Sequence, residues 1–105
     1  MDVNGQNILE DELIGYTITA ISMNKFQITV KLEIKACEVC LICKNATILS
    51  ASMDYISILR LSPEDRCVIR IHTILLDSDI FILLVLSGGE YLTIRAEDVS
   101  LRSPS

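Results

Sequence analysis

The chain has 105 residues, half of them apolar, and 14 acidic against 9 basic side chains give it a net charge of −5. This length supports a single domain over residues 1–105, because a second core would need roughly another hundred residues. The abundance of Ile, Leu and Val excludes a disordered segment. The acidic excess disfavours direct nucleic-acid binding, which usually depends on a surplus of Lys and Arg.

The N-terminus and the longest apolar run bear on the compartment. The first twelve residues contain acidic but no basic side chains, so they lack the basic start of a secretory signal. The longest apolar run, residues 80–86, is far shorter than the roughly twenty residues of a membrane-spanning helix. We therefore expect a cytoplasmic protein that does not contact a membrane.

Alternation of apolar and polar residues dominates the first half of the chain. Every second residue from Phe26 to Ala36 is apolar and the residues between are polar, which is typical of a strand with one buried face. A shorter alternation covers residues 14–20, and Asn24 between the two runs tolerates the left-handed conformation of a tight turn. The two runs predict an antiparallel hairpin.

The second half repeats this organisation. Residues 67–76 are rich in β-branched side chains and follow a turn sequence at residues 62–65. A further turn at residues 77–79 leads into the apolar run 80–86, whose length is typical of a strand buried on both faces. These segments predict a second hairpin.

Three more segments complete the predicted strands. Gly88 and Gly89 can both adopt positive φ, so they predict a hairpin turn followed by a strand over residues 91–95. Residues 37–44 and 55–61 predict two further strands.

Two segments have no clear periodicity. Residues 7–10 have the spacing of a capping box, which leaves a short helix over residues 8–13 open, and residues 45–54 fit helix, strand or loop. The fold class does not depend on either. We expect an all-β protein, an antiparallel β-sandwich or partly closed barrel of about seven strands.

The cysteine spacing suggests a metal site at first. Cys37, Cys40 and Cys43 are separated by two residues each, as in thiolate sites for zinc or iron. The intervening residues favour a strand, however, in which Cys40 points away from the other two. Cys67 would then be an isolated fourth ligand. We expect buried, free cysteines and no metal or other cofactor.

The sequence contains no recognisable catalytic set. The single histidine, His72, lies within a predicted strand, and pairing with Cys43 or Cys67 has no supporting sequence context. Phosphate-binding loops, nucleophile elbows and zinc-binding helix motifs are missing from the sequence. We therefore expect a protein that is not an enzyme and has no catalytic residues.

Acidic residues concentrate in the predicted turns, whereas basic residues lie mainly on the strands. An acidic surface at the end of a sandwich would attract a basic partner, although turns also favour Asp and Glu for purely local reasons. Tyr is common at protein interfaces, and two tyrosines begin segments beside acidic turns. If the strands form a meander, the candidate partner-binding residues at one end are Asp54, Tyr55, Asp77 and Asp79, and those at the alternative end are Glu64, Asp65, Glu90 and Tyr91.

Three segments resemble a known class of proteins. The runs ELIGYTI (12–18), FQITV (26–30) and GGEYLTI (88–94) are similar in texture to strand-and-turn segments of immunity proteins from bacterial contact-dependent growth inhibition systems. These immunity proteins share no functional residues, so the resemblance transfers no site. It implies a cognate partner, typically a basic nuclease toxin domain whose active site is blocked.

The sequence supports one main functional hypothesis and two alternatives. The first is a non-enzymatic immunity or inhibitor protein that binds and neutralises a basic toxin domain, with a nuclease as the expected toxin. An assembly module that pairs through an exposed strand edge is the second. A cysteine-ligated metal or redox protein is the third. The sequence leaves the toxin, its substrate and the oligomeric state open.

Overall fold

A computed structural model describes residues 12–103 of the chain. Within these residues eight of the ten helices and strands are strands, which confirms the all-β class. In chain order they are β1 (Thr17–Asn24), β2 (Gln27–Ile34), β3 (Cys37–Lys44), β4 (Thr47–Ala51), α1 (Tyr55–Leu59), a 3-10 helix (Pro63–Asp65), β5 (Val68–Leu76), β6 (Asp79–Leu86), β7 (Tyr91–Ala96) and β8 (Asp98–Arg102).

The strands form two antiparallel four-stranded sheets that pack face to face. The first sheet has the order β1-β2-β3-β8 and the second has the order β4-β7-β6-β5. A bridge between Thr17 and Cys67 joins the starts of β1 and β5 and partly closes one side of the sandwich. The predicted sandwich is therefore confirmed, with eight strands in the described part of the chain instead of about seven.

The core lies between the sheets and follows from the alternation of side chains. On β2 the inward residues Ile28, Val30 and Leu32 are almost fully buried. On β6 the inward residues Ile82 and Leu84 have no exposed surface. Successive side chains of a strand point to opposite faces, so a period of two in the sequence becomes one buried face in the structure.

The hairpin turns lie where the sequence predicts them, but their conformations differ in detail, since Lys25 rather than Asn24 has positive φ. Asp77 and Ser78, between β5 and β6, both have positive φ, as a two-residue hairpin turn requires. The first hairpin turns at Lys25 and Phe26, and Phe26 is exposed rather than the first inward residue of the strand. Between β6 and β7 only Gly89 has positive φ, whereas both glycines of that turn were expected to adopt it.

The predicted strand at residues 55–61 is wrong, because this segment contains α1. The Asp54 carboxylate accepts hydrogen bonds from the Ser57 backbone N–H at 2.9 Å and from the Ser57 hydroxyl at 3.1 Å. This N-cap satisfies a donor at the start of the helix. Ile58 is fully buried while Ile56 is exposed, so the apolar residues follow the period of a helix.

Residues 80–86 form all of β6 except its first residue, but the prediction that both faces of this strand are buried is wrong. The inward side chains are buried, whereas Phe81, Leu83 and Val85 on the outer face are only half-buried. No described element covers that outer face.

Two further findings complete the fold. The helix considered over residues 8–13 begins before residue 12, outside the described residues, and stays a prediction. Within residues 12–103, the helices lack the length and apolar character that crossing a membrane would require.

Candidate functional site

The structure divides the candidate partner-binding residues between the two ends of the sandwich. The end that contains Gly88 also holds Asp54, Tyr55, Glu64, Asp65, Glu90 and Tyr91. Asp77 and Asp79 lie at the opposite end, with the β3–β4 and β7–β8 connections.

Grouping Asp54 and Tyr55 with Asp77 and Asp79 is therefore wrong. That grouping assumed that residues 46–54 remain at one end of the sandwich. Strand β4 instead pairs with β7 from Arg95 at one end to Leu92 near the other. It carries the chain across the sheet before α1 begins.

Hydrogen bonds fix the α1 segment beside the start of β7. The Tyr91 N–H donates to the Ser52 hydroxyl at 2.9 Å, and the Ser52 N–H donates to the Tyr91 carbonyl at 3.1 Å. Ser52 is two residues before Asp54, and Tyr91 directly follows Glu90. These bonds hold the two acidic residues on neighbouring segments.

A second set of hydrogen bonds fixes the 3-10 helix against the Gly88 turn. The Gly88 N–H donates to the Asp65 carbonyl at 3.2 Å, and the Ser87 hydroxyl donates to the Glu64 carbonyl. The Cys67 N–H in turn donates to the Ser87 oxygen at 3.3 Å. Glu64 and Asp65 therefore have a rigid position relative to the β6–β7 hairpin.

Hydrogen bonds favour the ionised form of two carboxylates at this end. Hydrogen bonds from the Ser57 backbone and side chain lower the pKa of Asp54. Hydrogen bonding to Ser62 lowers the pKa of Glu64. The Ser62 hydroxyl also donates to Asp65 at 3.1 Å.

One ion pair separates Asp79 from the other candidate acids. Among the described residues, no cation lies within 4 Å of the carboxylates of Asp54, Glu64, Asp65 or Glu90. Asp79 at the opposite end contacts Arg95 at 3.1 Å, so its charge is largely compensated. We call the unpaired group, with its two tyrosines, the acidic end: Asp54, Tyr55, Glu64, Asp65, Glu90 and Tyr91.

The two tyrosines differ in exposure. Tyr55 begins α1 and is half-buried against the core. Tyr91 is 38% exposed and pairs with Val85, so its ring lies on the outer face of the second sheet. Tyr91 therefore joins the acidic end to that face.

The two outer faces have different chemistry, which the sequence analysis missed. On the first sheet the outward positions are mainly polar, with Thr29 and Ser100 among them and an ion pair between Lys31 and Glu38 at 3.8 Å. On the second sheet, five outward positions of β5 and β6 are apolar, and polar positions such as His72 and Thr93 lie beside them. We call the five apolar residues the apolar face: Ile74, Leu76, Phe81, Leu83 and Val85.

A signal for the apolar face was present in the sequence. Residues 80–86 are apolar on both faces of the strand, a pattern that is typical of strands buried on both sides. Residues 74–76 extend that pattern onto the neighbouring strand.

The cysteines of β3 lie on opposite faces of the strand, as its alternation requires. Cys43 points into the core, and burial raises the pKa of its thiol to about 12. Cys40 lies opposite Lys31 and Arg102 on the outer face. The expectation that all four cysteines are buried is wrong, because Cys37 is exposed at the start of β3 and Cys40 and Cys67 are only partly buried. Within residues 12–103, the structure contains no cluster of three or more His, Cys, Asp or Glu side chains that could hold a metal ion.

His72 is exposed and lies opposite Leu83 on the outer face of the second sheet. Cys43 faces the core from the first sheet, so the two side chains belong to different surfaces. The pair of Cys43 and His72 weighed from the sequence is therefore not assembled by the fold.

Comparison of the chain with protein-family models, curated proteins and solved structures finds no match.

Proposed function

We propose that the chain is a non-enzymatic inhibitor of the immunity-protein type, which binds and neutralises a basic toxin domain, a nuclease, in the cytoplasm. The acidic end is the proposed binding surface. The observation that supports it is the collection of four ionised or unpaired acids and two tyrosines on segments held together by hydrogen bonds.

The chemistry of this surface suits a basic partner. A nuclease binds phosphate with Lys and Arg side chains, and carboxylates fixed on a rigid end can occupy the same positions. Their shared charge also accelerates association, because unpaired acids attract a cationic surface over a Debye length of roughly 8 Å. Tyr91 adds aromatic contact area at the border of the charged surface.

Charge compensation supports the choice of this end over the opposite one. Asp79 is paired with Arg95, and Glu97 accepts a hydrogen bond from Asn45 at 3.0 Å. Lys25 and Lys44 also lie there, beside the β1–β2 turn and at the end of β3. Both ends carry basic residues, because Lys35 and Arg66 lie beside Pro63 at the acidic end. The choice of this end therefore depends on its carboxylates having no cation of the described residues within 4 Å, whereas Asp79 is paired.

The test measures binding of this chain to the product of the adjacent gene, for which the proposal expects a basic toxin domain, and it compares two matched charge reversals. Glu64→Lys alters the acidic end, and Glu97→Lys makes the same charge change on an exposed residue at the other end. We expect Glu64→Lys to slow association several-fold and to make it less dependent on salt, while Glu97→Lys has a much smaller effect. Equal effects would contradict the assignment of the surface, and the absence of protection against the toxin domain would contradict the function.

A second function, assembly through an exposed strand edge, is favoured by a separate observation. Strand β5 is an edge strand with exposed apolar side chains, and it lies away from the acidic end over most of its length.

A further inference from the structure

Each sheet of the sandwich has two edge strands, and three of the four carry features that limit pairing with another chain. β8 has five residues with charged ones at its ends, and β4 has five residues and a bulge between Ile48 and Ser50. β1 has a bulge between Ile18 and Ala20, and α1 packs against it. Short strands, bulges, charges and covering elements are the usual protection of an edge.

The fourth edge strand, β5, is longer and more apolar. Its first residue is covered, because the Val68 N–H donates to the Tyr16 carbonyl at 2.7 Å and the Val68 carbonyl accepts from Gly15 at 2.8 Å. A bulge follows, between Val68 and Arg70. Residues 70–76 then pair with β6 in unbroken register, and β5 is the last strand of its sheet.

The last three residues of β5 are exposed on both faces of the sheet. Ile74 is 58%, Leu75 51% and Leu76 58% exposed. Leu75 lies on the inner face of the sheet, like Thr73, whereas Ile74 and Leu76 lie on the outer face. A partner that docks on one face of the sheet would cover either Leu75 or the pair Ile74 and Leu76. A strand added to the edge contacts the side chains on both faces, because its own side chains also alternate.

The charges at the two ends of β5 favour antiparallel pairing with the same strand of a second copy of this chain. Arg70 lies near the start of the strand and Asp77 directly after its end, and both are exposed. Neither forms an ion pair with another described residue. Antiparallel pairing of two identical strands brings the basic start of each strand beside the acidic end of the other, so two such contacts form.

We propose that two copies of the chain pair through β5 and form a two-fold symmetric dimer with a continuous eight-stranded sheet. The axis passes through Ile74. This register places Ile74 opposite its own copy, His72 opposite Leu76, and Thr73 opposite Leu75. It also brings Arg70 within one position of Asp77 from the second copy. All three exposed apolar residues thereby gain cross-strand neighbours.

The dimer does not depend on the proposed inhibitor function, since it needs only the chain itself. One strand from each copy gives an interface at the small end of the stable range. We therefore expect the dimer fraction to increase with protein concentration, as measured by sedimentation velocity or light scattering. Amides of residues 71–76 should exchange more slowly in the concentrated sample than in the dilute one. A monomer at all concentrations would overturn the proposal, and so would protection of these amides in a monomer, because another segment would then cover the edge.

Two matched substitutions test the edge. Ile74→Lys places like charges opposite each other across the two-fold axis, so the dimer should dissociate at least about tenfold more readily. Leu49→Lys is the control, since Leu49 is 50% exposed on β4, the opposite edge of the same sheet. Both variants should keep the melting temperature of the unmodified monomer. A dimer that resists Ile74→Lys, or that is weakened equally by Leu49→Lys, would contradict pairing through β5.

A charge exchange tests the antiparallel register. Arg70→Glu alone and Asp77→Lys alone should each weaken the dimer, whereas the double variant should restore it, because each ion pair is re-formed with reversed signs. Lys25 and Lys35 already adopt positive φ in this chain, so Lys is compatible with the conformation at position 77. Additive weakening in the double variant would overturn the antiparallel arrangement.

Discussion

Gly88 lies directly against Asp65, and this contact joins the β6–β7 hairpin to the 3-10 helix. The Gly88 N–H donates to the Asp65 carbonyl at 3.2 Å, and a Cβ on Gly88 would lie 2.9 Å from the Cβ of Asp65. The glycine is therefore required by close approach, not by a positive φ. Because Gly88 has no side chain, two acidic segments that are distant in sequence can lie in direct contact.

Gly88→Ala should destabilise the fold and disturb the acidic end. The added methyl group forces the hairpin and the 3-10 helix apart, at a cost of about 1–3 kcal/mol in the free energy of unfolding. Chemical denaturation would measure the loss. Gly89→Ala provides a contrast in mechanism, because nothing lies within 4 Å of a Cβ there and its strain comes only from the φ of 96°. Only Gly88→Ala should therefore disturb the acidic end, and an unchanged free energy of unfolding for Gly88→Ala would contradict the close-approach explanation.

Asp54→Ala should lower the melting temperature and loosen α1, because the Ser57 N–H and hydroxyl lose their acceptor. The effect should depend on pH. The pKa of Asp54 is lowered in the folded state from its ordinary value of 3.8, so its contribution is complete above that value and is lost as the pH falls through the lower folded-state pKa.

Asp54→Asn separates the cap from the charge. The amide oxygen still accepts from Ser57 but does not titrate, so this variant should retain most of the stability at neutral pH. Its difference from the unmodified chain should shrink in acid, as followed by thermal melting across the acidic range. An identical pH profile for Asp54→Ala and the unmodified protein would show that the cap does not carry the effect.

Val30→Asp should abolish folding, because it puts an unpaired charge into a fully buried position. Thr29→Asp, on the neighbouring outward position of β2, should change the free energy of unfolding by no more than about 1 kcal/mol. Circular dichroism and denaturant titration would compare the two variants. Equal tolerance at both positions would contradict the orientation of β2.

The four free cysteines should react with a thiol reagent at different rates. Cys37 is exposed and should react in the native state, whereas Cys43 is buried with a thiol pKa raised to about 12 and should react only after unfolding. Mass spectrometry after timed labelling would give the order. Under reducing conditions a chelator should leave the melting temperature unchanged, and a loss of several degrees would point to a structural metal.

How much of the fold the sequence determined is clearest from β2 and the β5–β6 turn. The alternation of residues 26–36 predicted which side chains of β2 are buried, because the parity of a strand is a property of the local backbone. Asp77 and Ser78 between two apolar runs predicted a tight hairpin for the same local reason. Strand β8 was not predicted, although residues 98–102 alternate between polar and apolar side chains. The segment is only five residues long and is ordered by pairing with β3.

Tertiary structure decided the features on which the candidate site depends. The apolar segment after Asp54 fits a strand or a helix by composition, and capping together with packing of Ile58 selects the helix. Which acids share an end depends on where β4 crosses the second sheet, a non-local property that spacing does not encode. The apolar run 80–86 required a strand, but only the arrangement of the other elements left its outer face uncovered. Local patterns determined the strands and the parity of their side chains, whereas contacts between residues distant in sequence determined which surfaces they form.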